Sequence, residues 1–227
     1  MKDKALLYGM SDQAITWLST HVGLHNQVVA HWQALCESAK DSGFDLAIAS
    51  GYRSFERQLT IWNRKVSGEL AIKDLNNHNV DTSLLDEAAL IEAILTFSAL
   101  PGTSRHHWGT DLDFYSPSLL TTEQTLQLEP WEYQQGGPFY QLTLWLQENC
   151  QRFGFYFPYD QYRGGIAAEP WHLSYFPLAE KYQQQYQQTE LRQYLLQSKL
   201  SAKQTVIQHL DNILSRYVFN IGTTPHE

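Results

Sequence analysis

The stretch Ser104-Arg105-His106-His107-Trp108-Gly109-Thr110-Asp111-Leu112-Asp113 carries the most information in this chain. Its second half, from Thr110 to Tyr115, reads as a strand, so Asp111 and Asp113 share one face while Leu112 and Phe114 pack on the other. Two carboxylates beside a histidine repel each other unless a cation sits among them. One of the two would ligate such an ion, and the other would stay exposed or support a ligand from behind. His106 and His107 are adjacent and diverge in an extended backbone, so only one of them reaches the ion. Taken alone, the segment is explained equally well as a solvated polar loop.

Glu169-Pro170-Trp171-His172, far downstream, changes that balance. A histidine, a carboxylate and a second histidine beside a spare glutamate are the parts of a water-activating zinc site. Three protein ligands leave a position open, and the unligated carboxylate takes a proton. Pro170 biases Glu169 toward extended backbone and disfavours mid-helix, which separates this pair from the helical H-E-x-x-H arrangement. The glutamate is expected to end a loop and His172 to start a strand, with Trp171 packed beneath as core.

Composition supports one sizeable core. In 227 residues, 43% are hydrophobic and 13% aromatic, so folding needs neither a disulfide nor a structural metal. Nine histidines against two cysteines point away from a thiolate zinc cluster and toward nitrogen and oxygen ligands. The net charge of -8 argues against nucleic acid as a partner and against unspecific adhesion to anionic polymer, although a local arginine could still meet a small anionic substrate. Cys36 and Cys150 read as buried thiols in separate helices, with a bridge between them left open. Residues 1–20 contain no continuous apolar region followed by a small-residue cleavage site, and no stretch approaches the roughly 20 apolar residues of a membrane span. The sequence as it stands is expected to be cytoplasmic, with a periplasmic place as the alternative for a trimmed mature form.

Along the chain, Ser11 is expected to cap a helix over 12–22, and Val28, Trp32, Leu35 and Cys36 recur at helical spacing in a second. Gly43 ends that helix, residues 44–49 alternate like a short strand, and 50–54 form a turn. A helix follows over 55–66 with Leu59 and Trp62 on one face, then a polar loop over 67–83. A further helix spans 86–100 and stops at Pro101-Gly102. Residues 116–137 read as an irregular insert, 139–153 as helix and 172–175 as strand. From Leu178 onward the pattern is helical and glutamine-rich, with Leu195, Leu196, Ile207, Leu210, Ile213 and Leu214 as its main apolar positions. The expected class is α+β, with a small antiparallel sheet flanked by helices.

The segment from Ser104 to Asp113 closely resembles the S-x-H-x-x-G-x-A-x-D motif of zinc D-alanyl-D-alanine carboxypeptidases and dipeptidases of the vancomycin-resistance type. Glu169-Pro170-Trp171-His172 resembles that family's E-x-W-H motif, and Ser50-Gly51-Tyr52-Arg53-Ser54 with Gln58 its S-G-Y-R-S-x-x-x-Q signature. The three motifs stand in the family's order, within residues 40–180. The resemblance implies the fold shared with the Hedgehog signalling domain. It implies His106, Asp113 and His172 as ligands of one zinc ion per chain and Glu169 as general base. Arg53 would stabilise an oxyanion or hold a substrate carboxylate, and Ser104 and Gln58 would contact substrate. Asp111 departs from the motif, which has a small residue there, and this leaves some freedom in choosing the carboxylate ligand; spacing from His106 favours Asp113.

On this reading residues 1–184 form the zinc carboxypeptidase domain, and 185–227 a helical extension packed on it. The substrate is a peptidoglycan stem peptide or muropeptide whose C-terminal D-alanine is removed in the DD or LD sense. A phage-type peptidoglycan endopeptidase and a non-catalytic, zinc-stabilised binding domain are the alternatives. Arg57, Arg64 and Arg105 read as solvated surface charges. The sequence assigns no role to His107 or Asp111 and does not fix the oligomeric state.

Overall fold

The computed structural model describes residues 4–225, so the outermost ends of the expected segments 1–184 and 185–227 lie outside the described residues. Two antiparallel sheets sit among helices. The smaller pairs β1 (Ile15–Trp17) with β2 (Gly23–His25). This hairpin replaces the helix expected over 12–22. Ile15, Thr16 and Trp17 are strand formers, and Leu18 N–H closes the turn on the Val22 carbonyl at 2.8 Å. Ser11 does accept a backbone bond, from Gln13 N–H at 3.4 Å, but as a turn rather than a helix cap.

The larger sheet holds β3 (Ala47–Ser50), β4 (Asp111–Tyr115), β6 (His172–Tyr175) and β5 (Phe155–Tyr156), in that order and antiparallel throughout. Leu112, Phe114 and Leu173 are wholly buried on one face. Trp32 of α1 (Val29–Asp41) meets Phe155 edge-on at 6.2 Å, which fixes that helix against the sheet. The opposite face carries polar side chains, as alternation requires.

Helix α2 (Phe55–Val66) follows the expected bounds because its start and its buried face are signalled locally: Ser54 Oγ accepts from Arg57 N–H at 3.2 Å, and Phe55, Leu59 and Trp62 form its buried stripe. Helix α3 (Glu87–Leu95) is capped by Asp86 and ends earlier than the apolar run suggested. The insert holds the short α4 (Pro130–Tyr133). Helix α5 (Tyr140–Asn149) gives way to a 3-10 turn at Cys150. The two thiols are free, Cys150 buried and Cys36 half-buried.

Helices α6 (Phe176–Gln185), α7 (Gln188–Gln197), α8 (Lys203–Gln208) and α9 (Leu210–Ile213) follow, and a π-helical turn, Leu214–Val218, continues from the last of them. Leu195, Leu210, Ile213 and Leu214 join the same buried cluster as the sheet residues, whereas Leu196 points outward. Trp62 Nε1 donates to the Ser201 carbonyl at 3.1 Å, and the Asn63 side-chain amide to the Lys199 carbonyl at 2.9 Å. Among the described residues no helix is long and apolar enough to cross a membrane.

Candidate active site

Register in the larger sheet builds the site. Asp113 on β4 stands opposite His172 on β6, and Asp111 opposite Ser174, so all four side chains rise from one face. Glu169 ends the loop before β6, as Pro170 predicted, and the Glu169 carbonyl accepts from His172 N–H at 3.1 Å. His106 and His107 lie on a 3-10 turn, Arg105–Trp108, rather than on extended backbone. Gly109 closes that turn at φ 67°, and a side chain there would strike the His25 backbone nitrogen at 2.7 Å.

His106, Asp113 and His172 converge, with one ligand atom from each lying within 4.8 Å of the others. His106 Nδ1 donates to the Gly51 carbonyl at 2.9 Å, which leaves Nε2 bare and 3.5 Å from Asp113 Oδ2. His172 Nε2 faces Asp111 Oδ1 at 2.9 Å, which leaves Nδ1 bare at 3.4 Å from Asp113 Oδ1 and 3.3 Å from Glu169 Oε2. Asp113 Oδ1 is buried without a hydrogen-bond partner. The free nitrogens of two rings and two carboxylates thus meet in a space that calls for a positive charge, which a proton on His172 or a metal ion would supply. Burial favours a neutral His172, yet Asp111, Asp113 and Glu169 hold its pKa well above the ordinary imidazole value. Burial likewise opposes charge on Asp113, but His106 and His172 keep its carboxyl well below the usual range. Two ligands bound about 2.1 Å from a tetrahedral zinc ion stand roughly 3.4 Å apart, and the His106–Asp113 and His172–Asp113 separations fit that spacing.

Asp111 is not a third carboxylate aimed at the same point. Its Oδ1 accepts from Arg105 Nε at 2.8 Å, and its Oδ2 from Thr110 Oγ1 at 2.6 Å and Ser174 Oγ at 3.0 Å. This corrects the reading of Arg105 as a surface charge: its side chain is 3% exposed. The guanidinium also donates to Ser174 Oγ at 2.7 Å and Gln183 Oε1 at 3.0 Å, and lies over the Trp108 ring at 4.9 Å. Arg57 and Arg64 are exposed, as expected.

Arg53 is clamped by both histidines. Its N–H donates to the His106 carbonyl at 3.1 Å, and its carbonyl accepts from His107 Nδ1 at 2.6 Å. His107 Nε2 accepts from Gly102 N–H at 3.0 Å, so both nitrogens of this ring are engaged and it joins two loops. Its burial drives the His107 pKa down to about 3. The Arg53 guanidinium donates to Gln58 Oε1 at 2.9 Å and to Ser50 Oγ at 3.1 Å, while Nε is buried without a partner. Gln58 is fully buried, and its amide also donates to the Ala99 carbonyl at 2.7 Å. It therefore stands behind Arg53 rather than on the cleft wall, unlike the substrate contact expected from sequence.

The cleft encloses about 420 Å³ and is lined by His106, Asp113, Glu169, His172, Arg53 and Ser104 among others. Trp171 is buried as expected and also reaches this wall. Tyr159 and Lys65 are among the lining residues that the sequence did not mark. Tyr159 meets His172 edge-on at 4.8 Å, and Lys65 lies one turn beyond Ile61 on α2. The i, i+4 spacing of Ile61 and Lys65 was the available signal for the second.

The family model described as VanY, D-alanyl-D-alanine carboxypeptidase, matches residues 21–178. The chain is 41% identical over 125 residues to an uncharacterized protein of Haemophilus influenzae, covering 54% of this chain and 95% of that one. The solved structure of VanYB in complex with D-alanine-D-alanine is similar at a TM-score of 0.52 and 28% identity, covering 82% of this chain and 89% of that one. A vancomycin-resistance D,D-pentapeptidase VanY mutant in complex with Zn(II) is similar at a TM-score of 0.51 and 26% identity, covering 79% and 91%.

Proposed function

Since this chain belongs to the VanY D-alanyl-D-alanine carboxypeptidase family, we propose that it is a zinc-dependent peptidase removing the C-terminal D-alanine from peptidoglycan stem peptides. The observation that carries this reading is the convergence of bare His106 Nε2, Asp113 and bare His172 Nδ1 beside Glu169, a carboxylate in excess of the three-ligand set. A non-catalytic zinc domain has no use for that spare base.

A zinc ion held by these residues would polarise the scissile carbonyl and make a water acidic enough to lose its proton near neutral pH. Glu169 takes that proton and returns it to the leaving amine. Arg53, fixed through Gln58, Ser50 and the turn that carries His106 and His107, faces the negative charge that develops on the carbonyl oxygen. Ser104 lines the cleft and contacts the bound peptide. Residues 1–184 are read as the catalytic domain, and 185–227 as a helical extension buttressing it; the bonds from Trp62 and Asn63 to the 199–201 segment support that packing.

The test is metal analysis together with mass spectrometry of muropeptides ending in D-Ala-D-Ala or in a single D-Ala. One zinc per chain and a loss of one alanine from one of the two series are expected, and the cleaved series fixes DD against LD specificity. Hydrolysis of neither series by the zinc-loaded protein would overturn the proposal.

A further inference from the structure

The cleft is lined by cations besides Arg53, and one of them, Lys65, is left unused by the chemistry above. Lys65 lies on the wall that also carries Ile61, Ser98, Ala99 and Arg53. Its Nζ donates to Ser98 Oγ at 2.6 Å, and among the described residues it enters no ion pair. A hydroxyl satisfies one of the three ammonium protons and supplies no counter-charge. Lys73, also on the cleft, differs in having Glu129 Oε1 at 3.7 Å. Burial lowers the pKa of Lys65, with Glu169 acting in the opposite sense. A half-buried ammonium in that state gains most from an anion brought by a ligand.

Arg53 already spends one donor from each Nη on Gln58 and Ser50, whereas a peptide bound for removal of its last residue presents two oxygen sites that need positive charge. One is the scissile carbonyl oxygen; the other is the free carboxylate one residue further on. We infer that Lys65, oriented by Ser98, anchors the free carboxylate of the residue to be released, leaving Arg53 to the scissile carbonyl. Ile61 and Ala99 offer the adjoining small apolar surface that an alanine methyl requires. The assignment rests on the carboxypeptidase reading and deepens it. A peptide that continues past the scissile bond, or ends in an amide, leaves the ammonium unpaired, and this makes the cleft selective for chain ends.

The experiment compares hydrolysis of N-acyl-L-Lys-D-Ala-D-Ala and N-acyl-L-Lys-D-Ala with that of their C-terminal carboxamides, by wild type and by Lys65→Met, Lys65→Gln and Lys65→Arg. The expected result is that wild type prefers the acid, and that Lys65→Met and Lys65→Gln reduce the acid-over-amide ratio of kcat/KM by about ten- to a hundredfold, mainly through KM. Lys65→Arg, which keeps the charge, should retain most of the preference. Zinc content checks that each variant is folded. An unchanged ratio in Lys65→Gln, or equal cleavage of acid and amide by wild type, overturns the Lys65 assignment alone. Absence of wild-type hydrolysis on every substrate overturns the carboxypeptidase reading, and the assignment falls with it.

Discussion

Asp111 Oδ1 lies 2.9 Å from Nε2 of His172, and this contact decides which nitrogen of that ring faces the cleft. An ionised carboxylate only accepts, so Nε2 keeps its proton, and Nδ1, which faces Asp113 and Glu169, is the nitrogen whose proton a metal ion would displace. Gly51 does the same for His106 through a backbone carbonyl. The two rings are thus oriented before any ion arrives, and a bound ion would fix them in complementary tautomers.

Asp111→Asn should therefore weaken zinc binding by about ten- to a hundredfold, since the amide supports the ring without its negative charge. Competition against a chelator of known affinity measures this. A zinc Kd equal to that of wild type would show that Asp111 does not tune the ligand.

Arg105 supplies the charge that lets Asp111 remain ionised while buried: burial raises the Asp111 carboxyl's pKa, but Arg105 and His172 bring it well below the usual range. Arg105→Met removes one half of a buried pair and should cost about 3–5 kcal/mol of stability. Urea unfolding of the zinc-loaded protein reads this directly. Adding Asp111→Asn to that background should recover part of the loss, because no buried charge then stands alone. A double variant no more stable than Arg105→Met would break the argument.

The sequence makes some of these relations legible and hides others. Helix α2 and strands β4 and β6 are written locally, in the Ser54 cap and in the alternation around Leu112 and Leu173. The hairpin at β1 and β2 is not, because Ile15 and Trp17 fit a helical stripe as well as a strand until His25 is placed opposite Ile15. The ligand trio follows from three ordered motifs, whereas the role of Asp111 follows only from its bonds to His172, Ser174 and Arg105. One cue was present: an aspartate where the motif carries a small residue, six positions after an arginine, suggests a buried ion pair. Nothing local distinguishes Gln58 behind Arg53 from Gln58 on the cleft wall, since that depends on the Ala99 carbonyl 41 residues away.

His107 gives a pH prediction with a definite sign. Its folded pKa of about 3 lies below the free value of 6.5, so the native state binds fewer protons than the unfolded chain between them. The His107 contribution to stability is present above pH 6.5 and is lost as pH falls toward 3, reaching roughly 5 kcal/mol over that window. Nitrogen-15 NMR should find this ring neutral and protonated at Nδ1 down to about pH 4. A titration near pH 6.5 would contradict the bonds to Arg53 and Gly102.

Glu169→Gln keeps the volume of the side chain and removes the base. Zinc content should stay at the wild-type level, while kcat falls by about a hundred- to ten-thousandfold. Retention of full activity would assign proton transfer elsewhere.

Arg53 and Gln58 separate contact with the substrate from support of that contact. Arg53→Lys keeps the charge but cannot hold Gln58 and Ser50 together while reaching the carbonyl oxygen, so kcat should drop by about a hundred- to a thousandfold. Gln58→Leu leaves the guanidinium in place but frees one of its Nη groups, and the Ala99 carbonyl loses its donor. Its effect should be smaller and should also fall on kcat, because Gln58 acts only through the orientation of Arg53. In an Arg53→Ala background, where there is no guanidinium left to orient, Gln58→Leu should cost nothing further in kcat. Independent losses that multiply in the double variant would instead place Gln58 on the substrate itself.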